Sequence, residues 1–241
     1  MERELTLIGH LDELRGRIII SLIALGAGIL LSFPFTSLFL WFLKLPSDGL
    51  IEKLVYFSPQ EAFSIHMQVA VLGGWFISLP IILYQAWSFI SPAIEEKIRG
   101  YILVFVFFCF VAFISGGLFA YFILIPPALK FLLSFGGDML QPLISAQKYI
   151  SFLTTLIFGC GLVFEMPVLS FVLTKLGIVH ARVLRNKYKY AIVIIFIIAA
   201  VITPTTDVFN MTLMAGPMIF LYELSIWVSF FARTKVKPVS E

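Results

Sequence analysis

The feature that most constrains this chain is a series of long apolar stretches with few or no charged residues. They occupy most of the 241-residue sequence, in which 60% of the residues are hydrophobic and 13% are charged. Soluble domains carry about 25% charged residues and about 45–50% apolar residues. A water-exposed fold could not hide the 26 Phe residues in one core. The composition excludes a soluble globular enzyme, a disordered protein and a nucleic-acid-binding domain, and it predicts an all-α polytopic membrane protein.

Six of these stretches are candidates for membrane-spanning helices, since a helix needs about 20 apolar residues to cross about 30 Å of hydrocarbon. The predicted spans are approximately 18–43, 62–94, 101–125, 149–174, 190–203 and 208–232. The fifth span is short because Pro204 closes it, so that Ala191–Thr203 covers only about 20 Å. We expect spans five and six to form a short hairpin that thins the bilayer locally. No linker divides the chain, and we expect a single membrane domain over residues 1–241.

The basic residues predict the orientation of the spans. With the N-terminus inside, segments 1–17, 95–100, 175–189 and 233–241 are cytoplasmic and hold thirteen of the seventeen Lys and Arg residues. Cytoplasmic loops are enriched in these residues. We therefore expect both termini to be cytoplasmic. The basic loop 175–189 is interpreted as a topology anchor, with binding of an acidic partner as the alternative.

Three prolines, Pro80, Pro167 and Pro217, lie inside the even-numbered spans. A proline in a helix interior removes a backbone donor and kinks the helix. The pattern predicts a kinked and curved array of helices rather than a straight bundle.

Motifs for catalysis and cofactor binding are not found in the sequence. It has no HExxH, GxSxG or P-loop pattern, and His10, His66 and His180 lie in separate segments without ligand spacing. Cys109 and Cys160 lie in apolar stretches, where cysteine acts as a small buried hydrophobe. We expect no enzyme activity, no metal site and no cofactor.

Two glutamates lie within the predicted spans, Glu165 and Glu223. A charge at the bilayer centre costs roughly 2.5–3.5 kcal/mol on insertion scales, so such a residue is a functional candidate. We interpret Glu165 as a polar docking point for a partner helix or an inserted signal, helped by the Val163 carbonyl that Pro167 leaves unbonded. The alternative is a protonated side chain that is hydrogen-bonded to another helix. For Glu223 we favour a position at the inner interface.

The N-terminal segment 1–17 is predicted to be an amphipathic helix on the inner surface, because its apolar residues recur every three to four positions. Its polar side carries Asp12, Glu13, Arg15 and Arg17. Carboxylates can hold guanidinium groups in a bidentate fashion. Glu13 and the acids of the first inner loop, Glu95 and Glu96, are therefore candidates for a cation-binding surface.

Five sequence motifs resemble those of a known family. They are HLDELRGR (His10–Arg17), SPQEAF (Ser58–Phe63), LPIILYQAWSFISPAI (Leu79–Ile94), FEMPV (Phe164–Val168) and TPTTDVFNMTLMAGPMIFLYE (Thr203–Glu223). In this order and together with six spans, they resemble TatC, the multispan core of the twin-arginine protein translocase.

The resemblance implies a non-enzymatic receptor for export signals that carry two adjacent arginines. It implies single-span partners of the TatA and TatB type, a multimeric complex, and transport of folded proteins with the proton-motive force. It also implies a location in the bacterial cytoplasmic (inner) membrane.

The resemblance also implies roles for particular residues. Signal binding falls on Glu13, Arg15 and Phe89, the intramembrane glutamate on Glu165, and the outer-side aspartate on Asp207.

The chain departs from the family pattern at two places. In the family, an acid often lies six residues after the proline of the first inner loop. That proline is Pro92 here, and the residue six positions later is Ile98. We favour Glu96 over Glu95 as the substitute. Asn210-Met211 stands where the family often has Ser-Gln, which leaves Thr203 and Asn210 as possible donors to a partner.

Two other functions remain open at this point. A proton-coupled solute transporter would use Glu165 as the proton relay, but such transporters usually show broken helices at matching positions of two repeats. A membrane-anchored scaffold is the third possibility.

Overall fold

The computed structural model describes residues 7–47, 50–51, 54–90, 102–135, 143–203 and 207–232. Helices make up nearly all of this part of the chain, as the composition predicts. The chain divides into two compact units, one of residues 1–44 and 56–110 and the other of residues 45–55 and 111–241. Each unit is described by itself.

The first unit is built on a pair of long helices. Its elements are α1 (Leu7–Ser32), a 3₁₀ turn (Phe33–Phe35), α2 (Thr36–Lys44), α3 (Pro59–Ile90) and the first half of α4 (Ile102–Phe119). The predicted amphipathic segment is helical from residue 7, but it continues directly into the first span instead of forming a separate helix. No proline lies between Leu7 and Ser32 to end the helix. The break comes at Pro34, which divides the first predicted span into α1 and α2.

Helices α1 and α3 run antiparallel and approach closely at two glycines. A Cβ atom on Gly28 would lie 2.6 Å from the carbonyl oxygen of Gly74, and one on Gly74 would lie 2.6 Å from the amide nitrogen of Ile29. Small residues at such positions let helix backbones pack against each other in membranes. The Thr36 hydroxyl donates to the Phe33 carbonyl, so it accepts its 2.8 Å bond from Nδ1 of His66.

The second unit contains the remaining helices and a small strand pair. Its helices are the second half of α4, a π-helical turn (Ala120–Leu124), α5 (Ile125–Ser134), α6 (Ala146–Phe164), α7 (Met166–Lys175), α8 (Ala181–Asn186), α9 (Tyr188–Ile202) and α10 (Val208–Phe231). A 3₁₀ turn (Leu45–Ser47) precedes strand β1 (Leu54–Val55), which pairs in parallel with β2 (Ile144–Ser145). The strand pair was not predicted, because two residues are too few to show an alternating pattern.

Prolines shape the helices of the second unit in three different ways. Pro126 and Pro127 follow the π-helical turn, which widens the helix where two backbone donors are lost, so that the third span continues to Ser134. Pro167 interrupts the fourth span, and α6 and α7 meet at Glu165. Pro217 lies inside the continuous helix α10.

The fourth and sixth spans run in the same direction through the second unit. The Ser170 hydroxyl donates to the Ser225 carbonyl at 2.9 Å, and the Thr174 hydroxyl lies 2.8 Å from Oγ of Ser229. Four residues further along α7, the contact lies four residues further along α10, so the two helices are parallel. At the level of α6, the Cys160 sulfur lies 3.5 Å from the sulfur of Met214.

Helix α9 runs in the opposite direction to α10. Near its start, the ring of Tyr188 packs on the ring of Tyr222, 5.7 Å between centroids. At its other end, Ile202 packs against Gly159, where a Cβ atom would lie 2.4 Å from the Ile202 side chain. In the chain, α9 therefore lies between α7 and α10, which are parallel, and runs antiparallel to α10.

Five helical segments of the described chain are long and apolar enough to cross a membrane. They are Leu11–Ser47, Pro59–Ile90, Ile102–Ser134, Ala146–Lys175 and Val208–Phe231. The fifth predicted span is present as the apolar helix α9, but it has only 15 residues. The protein is a multispan membrane protein, as the composition predicts.

Candidate functional site

A guanidinium–carboxylate cluster lies where α1 packs against the C-terminal part of α3. Arg17 donates from Nε and Nη2 to Oε1 of Glu13, at 3.1 and 2.7 Å, and from Nη1 to Oε1 of Gln85 at 3.0 Å. Glu13 and Arg17 are four residues apart on α1, so their side chains lie on the same helix face. About a quarter of each side chain is exposed, 25% for Glu13 and 24% for Arg17.

The geometry leaves part of the Glu13 carboxylate available. Both Arg17 donors bond to Oε1, and within the described part of the chain no hydrogen bond reaches Oε2. A carboxylate can accept about four hydrogen bonds from two oxygens. The carboxylate thus holds one guanidinium group through Oε1, and Oε2 keeps its capacity to accept further hydrogen bonds.

The other signal-binding candidates are placed differently. Phe89 is half-buried and lies one turn after Gln85 on α3, so the two side chains share a face. Arg15 is exposed and lies two positions from Glu13, on another side of α1. The structure thus brings Glu13 toward the α3 face that carries Phe89, and it does not bring Arg15 into the cluster. Glu95 and Glu96 lie outside the described residues.

Glu165 lies at the junction between α6 and α7 and is 9% exposed. Its backbone amide donates to the Leu162 carbonyl, and its carbonyl accepts from the amide of Leu169. Pro167 has no amide hydrogen, so Val163 cannot form the usual helical bond to it, and the helix turns at this point. A proline two positions after the acid therefore places a carboxyl group at a bend in the middle of a span.

The three candidates at the start of α10 make local contacts. Asp207 caps the helix, because its Oδ1 accepts from the Asn210 amide at 2.7 Å and its Oδ2 lies 2.9 Å from Nδ2 of Asn210. The Thr203 hydroxyl donates to the Ala199 carbonyl at 2.8 Å. Thr203 and Asn210 are buried. For these residues we predict from the sequence either a contact with a partner or a structural role, and these contacts are structural ones within the chain.

Glu223 lies beside the basic loop that follows α7. Both of its carboxylate oxygens accept from Nη1 of Arg185, at 3.0 and 3.2 Å. Its neighbour Tyr222 donates from its hydroxyl to the Leu184 carbonyl. The partner of this acid therefore comes from the basic loop.

Arg17 and Gln85 are site residues that sequence reasoning did not assign to the site. The four-residue spacing of Glu13 and Arg17 was a usable signal for Arg17. No local signal points to Gln85, which is 68 residues away in sequence from its partner. Among the described residues, no group of three or more His, Cys, Asp or Glu side chains could hold a metal ion.

The fold and the site together define a class: a multispan α-helical membrane protein with a partly exposed carboxylate site on an antiparallel helix pair. Comparison with known proteins identifies the family. The model of the family described as "Sec-independent protein translocase protein (TatC)" matches residues 9–217. The chain belongs to the TatC family.

Similar proteins match over nearly the whole chain. The Sec-independent protein translocase protein TatC of Carboxydothermus hydrogenoformans is 39% identical over 234 residues, covering 97% of this chain and 96% of that protein. The TatC protein of Aquifex aeolicus is 40% identical over 237 residues, covering 96% and 98%. A crystal structure of the twin-arginine translocase receptor TatC superposes with a TM-score of 0.84 at 39% identity, covering 92% of this chain and 99% of that chain.

Proposed function

We propose that this protein is the core receptor subunit of a twin-arginine translocase and that it recognises signal peptides with two adjacent arginines. The solved structure that it matches is described as the twin-arginine translocase receptor. Family membership supports a role in protein translocation rather than in solute transport. In this role the protein is a non-enzymatic receptor.

The observation that carries the proposal is the Arg17–Glu13 fork. An arginine of this chain already occupies the carboxylate in the way an arginine of a signal peptide would. The incoming guanidinium either takes Oε2 or exchanges with Arg17, which Gln85 can then hold. Phe89 supplies an aromatic surface one turn away, and Glu95 or Glu96 takes the second arginine of the pair. Arg15 is the family's additional basic position.

A peptide-binding experiment tests this assignment. Arginine presents a planar fork of donors to a carboxylate, whereas lysine presents a point charge. A charge-assisted hydrogen bond contributes about 1.5–3 kcal/mol, hence about 10–100-fold in affinity. Glu13→Gln is expected to weaken binding of an Arg-Arg signal peptide by this factor in isothermal titration of the purified protein, and to change binding of a Lys-Lys peptide much less.

The matched control is Asp12→Asn, since Asp12 is an exposed acid next to Glu13. This variant is expected to bind the Arg-Arg peptide as the wild type does. Equal affinity of both peptides for the wild type and for Glu13→Gln would exclude Glu13 as the arginine site. If the wild type bound neither peptide, the result would favour the alternative of a proton-coupled solute transporter.

The proposal includes six membrane crossings with both termini in the cytoplasm. The contacts between α7 and α10 support it, since two parallel spans need a return crossing between them. Helix α9 is the apolar helix available for that crossing. The bias of Lys and Arg residues supports the orientation.

The proposal also includes the setting in which the receptor works. The protein lies in the bacterial cytoplasmic membrane, assembles with single-span TatA- and TatB-type partners into a multimer, and moves folded proteins with the proton-motive force. Glu165 is the polar docking point for a partner helix or an inserted signal. Its burial at a proline-induced bend supports this role, because an acid at that depth otherwise carries a large insertion cost.

A further inference from the structure

An open cavity of about 400 Å³ lies beside the C-terminal end of α10. Its walls come from the short helix α8 and from the last two turns of α10. The lining residues are Ala181, Arg182, Arg185, Ile226, Trp227 and Phe230. Two guanidinium groups thus share one cavity with two aromatic rings, and the guanidinium–carboxylate cluster of Glu13, Arg17 and Gln85 uses none of these residues.

The charges around the cavity do not balance. Arg185 forms an ion pair with Glu223 through Nη1 and keeps its other N–H donors. Arg182 is exposed and forms no hydrogen bond or ion pair with another residue in the part of the chain that the structure describes. Among the described residues of this cluster, two arginines and one glutamate leave a single positive charge. A ligand with one negative charge, such as a phosphodiester, would neutralise the cluster.

The cavity lies where an apolar helix ends and a basic segment begins. Trp227 and Phe230 are 56% and 55% exposed near the end of α10, a helix long and apolar enough to cross the membrane. Trp is enriched at membrane–water interfaces, and Lys and Arg are enriched in the segments that flank spans on the cytoplasmic side. An exposed Trp beside two arginines at the end of an apolar helix is the combination expected at the level of lipid headgroups.

We propose that this cavity binds an anionic phospholipid with a single phosphodiester in its headgroup. The phosphodiester lies between Arg182 and Arg185, whose planar donors suit phosphate oxygens. The acyl chains pack along Ile226, Trp227 and Phe230. Basic pockets between helices on the cytoplasmic side are known to hold anionic headgroups. An acidic peptide would use the arginines but would leave the apolar wall uncovered.

Native mass spectrometry of the full-length protein in detergent tests the proposal. Phosphatidylglycerol and phosphatidylcholine with identical acyl chains are offered at equal concentration, and the wild type is expected to retain phosphatidylglycerol in preference. A basic residue near a membrane surface contributes about 1 kcal/mol to binding of anionic lipid, which corresponds to about fivefold. Arg182→Gln is expected to reduce phosphatidylglycerol occupancy by about this factor.

The matched control is Lys189→Gln, at an exposed basic residue in the first turn of α9 that does not line the cavity. It is expected to leave lipid retention unchanged. Trp227→Ala is expected to reduce retention of both lipids, whereas Trp41→Ala, at an exposed Trp outside the cavity, is not.

Three results would overturn the proposal. The first is equal retention of the two lipids by the wild type, a result that does not depend on the folding of any variant. The second is an equal loss of phosphatidylglycerol in Arg182→Gln and Lys189→Gln, which would show a general surface charge effect. The third is displacement of phosphatidylglycerol by millimolar inorganic phosphate, which would show a site for free phosphate. The signal-peptide experiment uses other residues, so either proposal can fail while the other stands.

Discussion

Single glycines decide how closely the two helices of the first unit approach. Gly26 and Gly28 lie two residues apart in the same apolar stretch of α1, and the sequence does not distinguish their environments. In the structure, however, a Cβ atom on Gly26 would meet nothing within 4 Å, whereas one on Gly28 would lie 2.6 Å from the Gly74 carbonyl oxygen. The neighbouring atom is backbone, so it cannot move aside as a flexible side chain would.

The two glycines therefore provide a prediction with a built-in control. Gly28→Ala is expected to destabilise the protein by about 1–3 kcal/mol, because extra atoms in a packed interface force backbone shifts. Gly26→Ala is expected to be neutral or slightly stabilising, since alanine favours helix more than glycine does. Thermal unfolding of the purified variants in detergent measures both. Equal unfolding temperatures for the two variants would contradict the close packing of α1 and α3.

The role of Glu165 also belongs to the scale of the residue. Because a neutral acid and an amide can both donate a hydrogen bond, Glu165→Gln is expected to retain most partner binding. Glu165→Ala is expected to lose it, although an interhelical hydrogen bond in a membrane contributes only on the order of 1 kcal/mol. Export of a reporter protein and cross-linking to the single-span partners are the measurements.

Leu162→Ala is the control for this experiment, because Leu162 is exposed and lies one turn before Glu165. It is expected to export the reporter as the wild type does. Wild-type export and cross-linking by Glu165→Ala would leave the acid with a structural role alone.

At the scale of helices, the short hairpin of α9 and α10 is the feature with the clearest consequence. Thr203, after the end of α9, and Asn210, in the first turn of α10, line one small cavity with Phe152 and Leu156 of α6. Phe152 lies six residues after the start of α6, so this contact is about 9 Å or more from the start of that helix. Both the short length of α9 and this position support a hairpin that does not reach full bilayer thickness.

Spin labels at the two ends of the hairpin test the thinning. Tyr190 and Val208 are exposed, so labels at these positions should disturb packing little. With 15 residues, α9 covers about 22 Å, against about 30 Å of hydrocarbon. The label at Tyr190 and the label at Val208 are both expected to be accessible to a water-soluble relaxation agent. Labels at Val71 and Ile77 of α3 provide the reference for a span of full thickness, and a label at Val208 as deeply buried as these would exclude thinning.

For the molecule as a whole, the orientation in the membrane can be tested by cysteine labelling. Native Cys109 and Cys160 are buried, so labelling of introduced cysteines has little background. Lys148→Cys is expected to react with an impermeant maleimide in intact cells, because it belongs to the side with few basic residues. Lys189→Cys is expected to react only after the cells have been permeabilised. The opposite labelling pattern would invert the topology.

The membrane class, five of the predicted spans and the family could all be predicted from the sequence. These depend on local properties. The apolar residues needed to cross hydrocarbon are contiguous in the chain, and each family motif is a short contiguous segment. The short apolar helix α9 was predictable for the same reason, because Pro204 closes the apolar stretch that forms it. The effect of Pro167 at Glu165 was likewise a local property, since a proline acts on the turn that precedes it.

The contacts between residues far apart in sequence became known from the three-dimensional structure alone. Arg17 bonds to Gln85, Ser170 to Ser225 and Arg185 to Glu223, and the residues of each pair are 38 or more positions apart. Such pairs depend on the rotation and register of whole helices, which many side chains set together and no short segment encodes. For that reason Glu13 could be named from the sequence as an arginine-binding carboxylate, but its engagement by Arg17 at the surface of α3 could not.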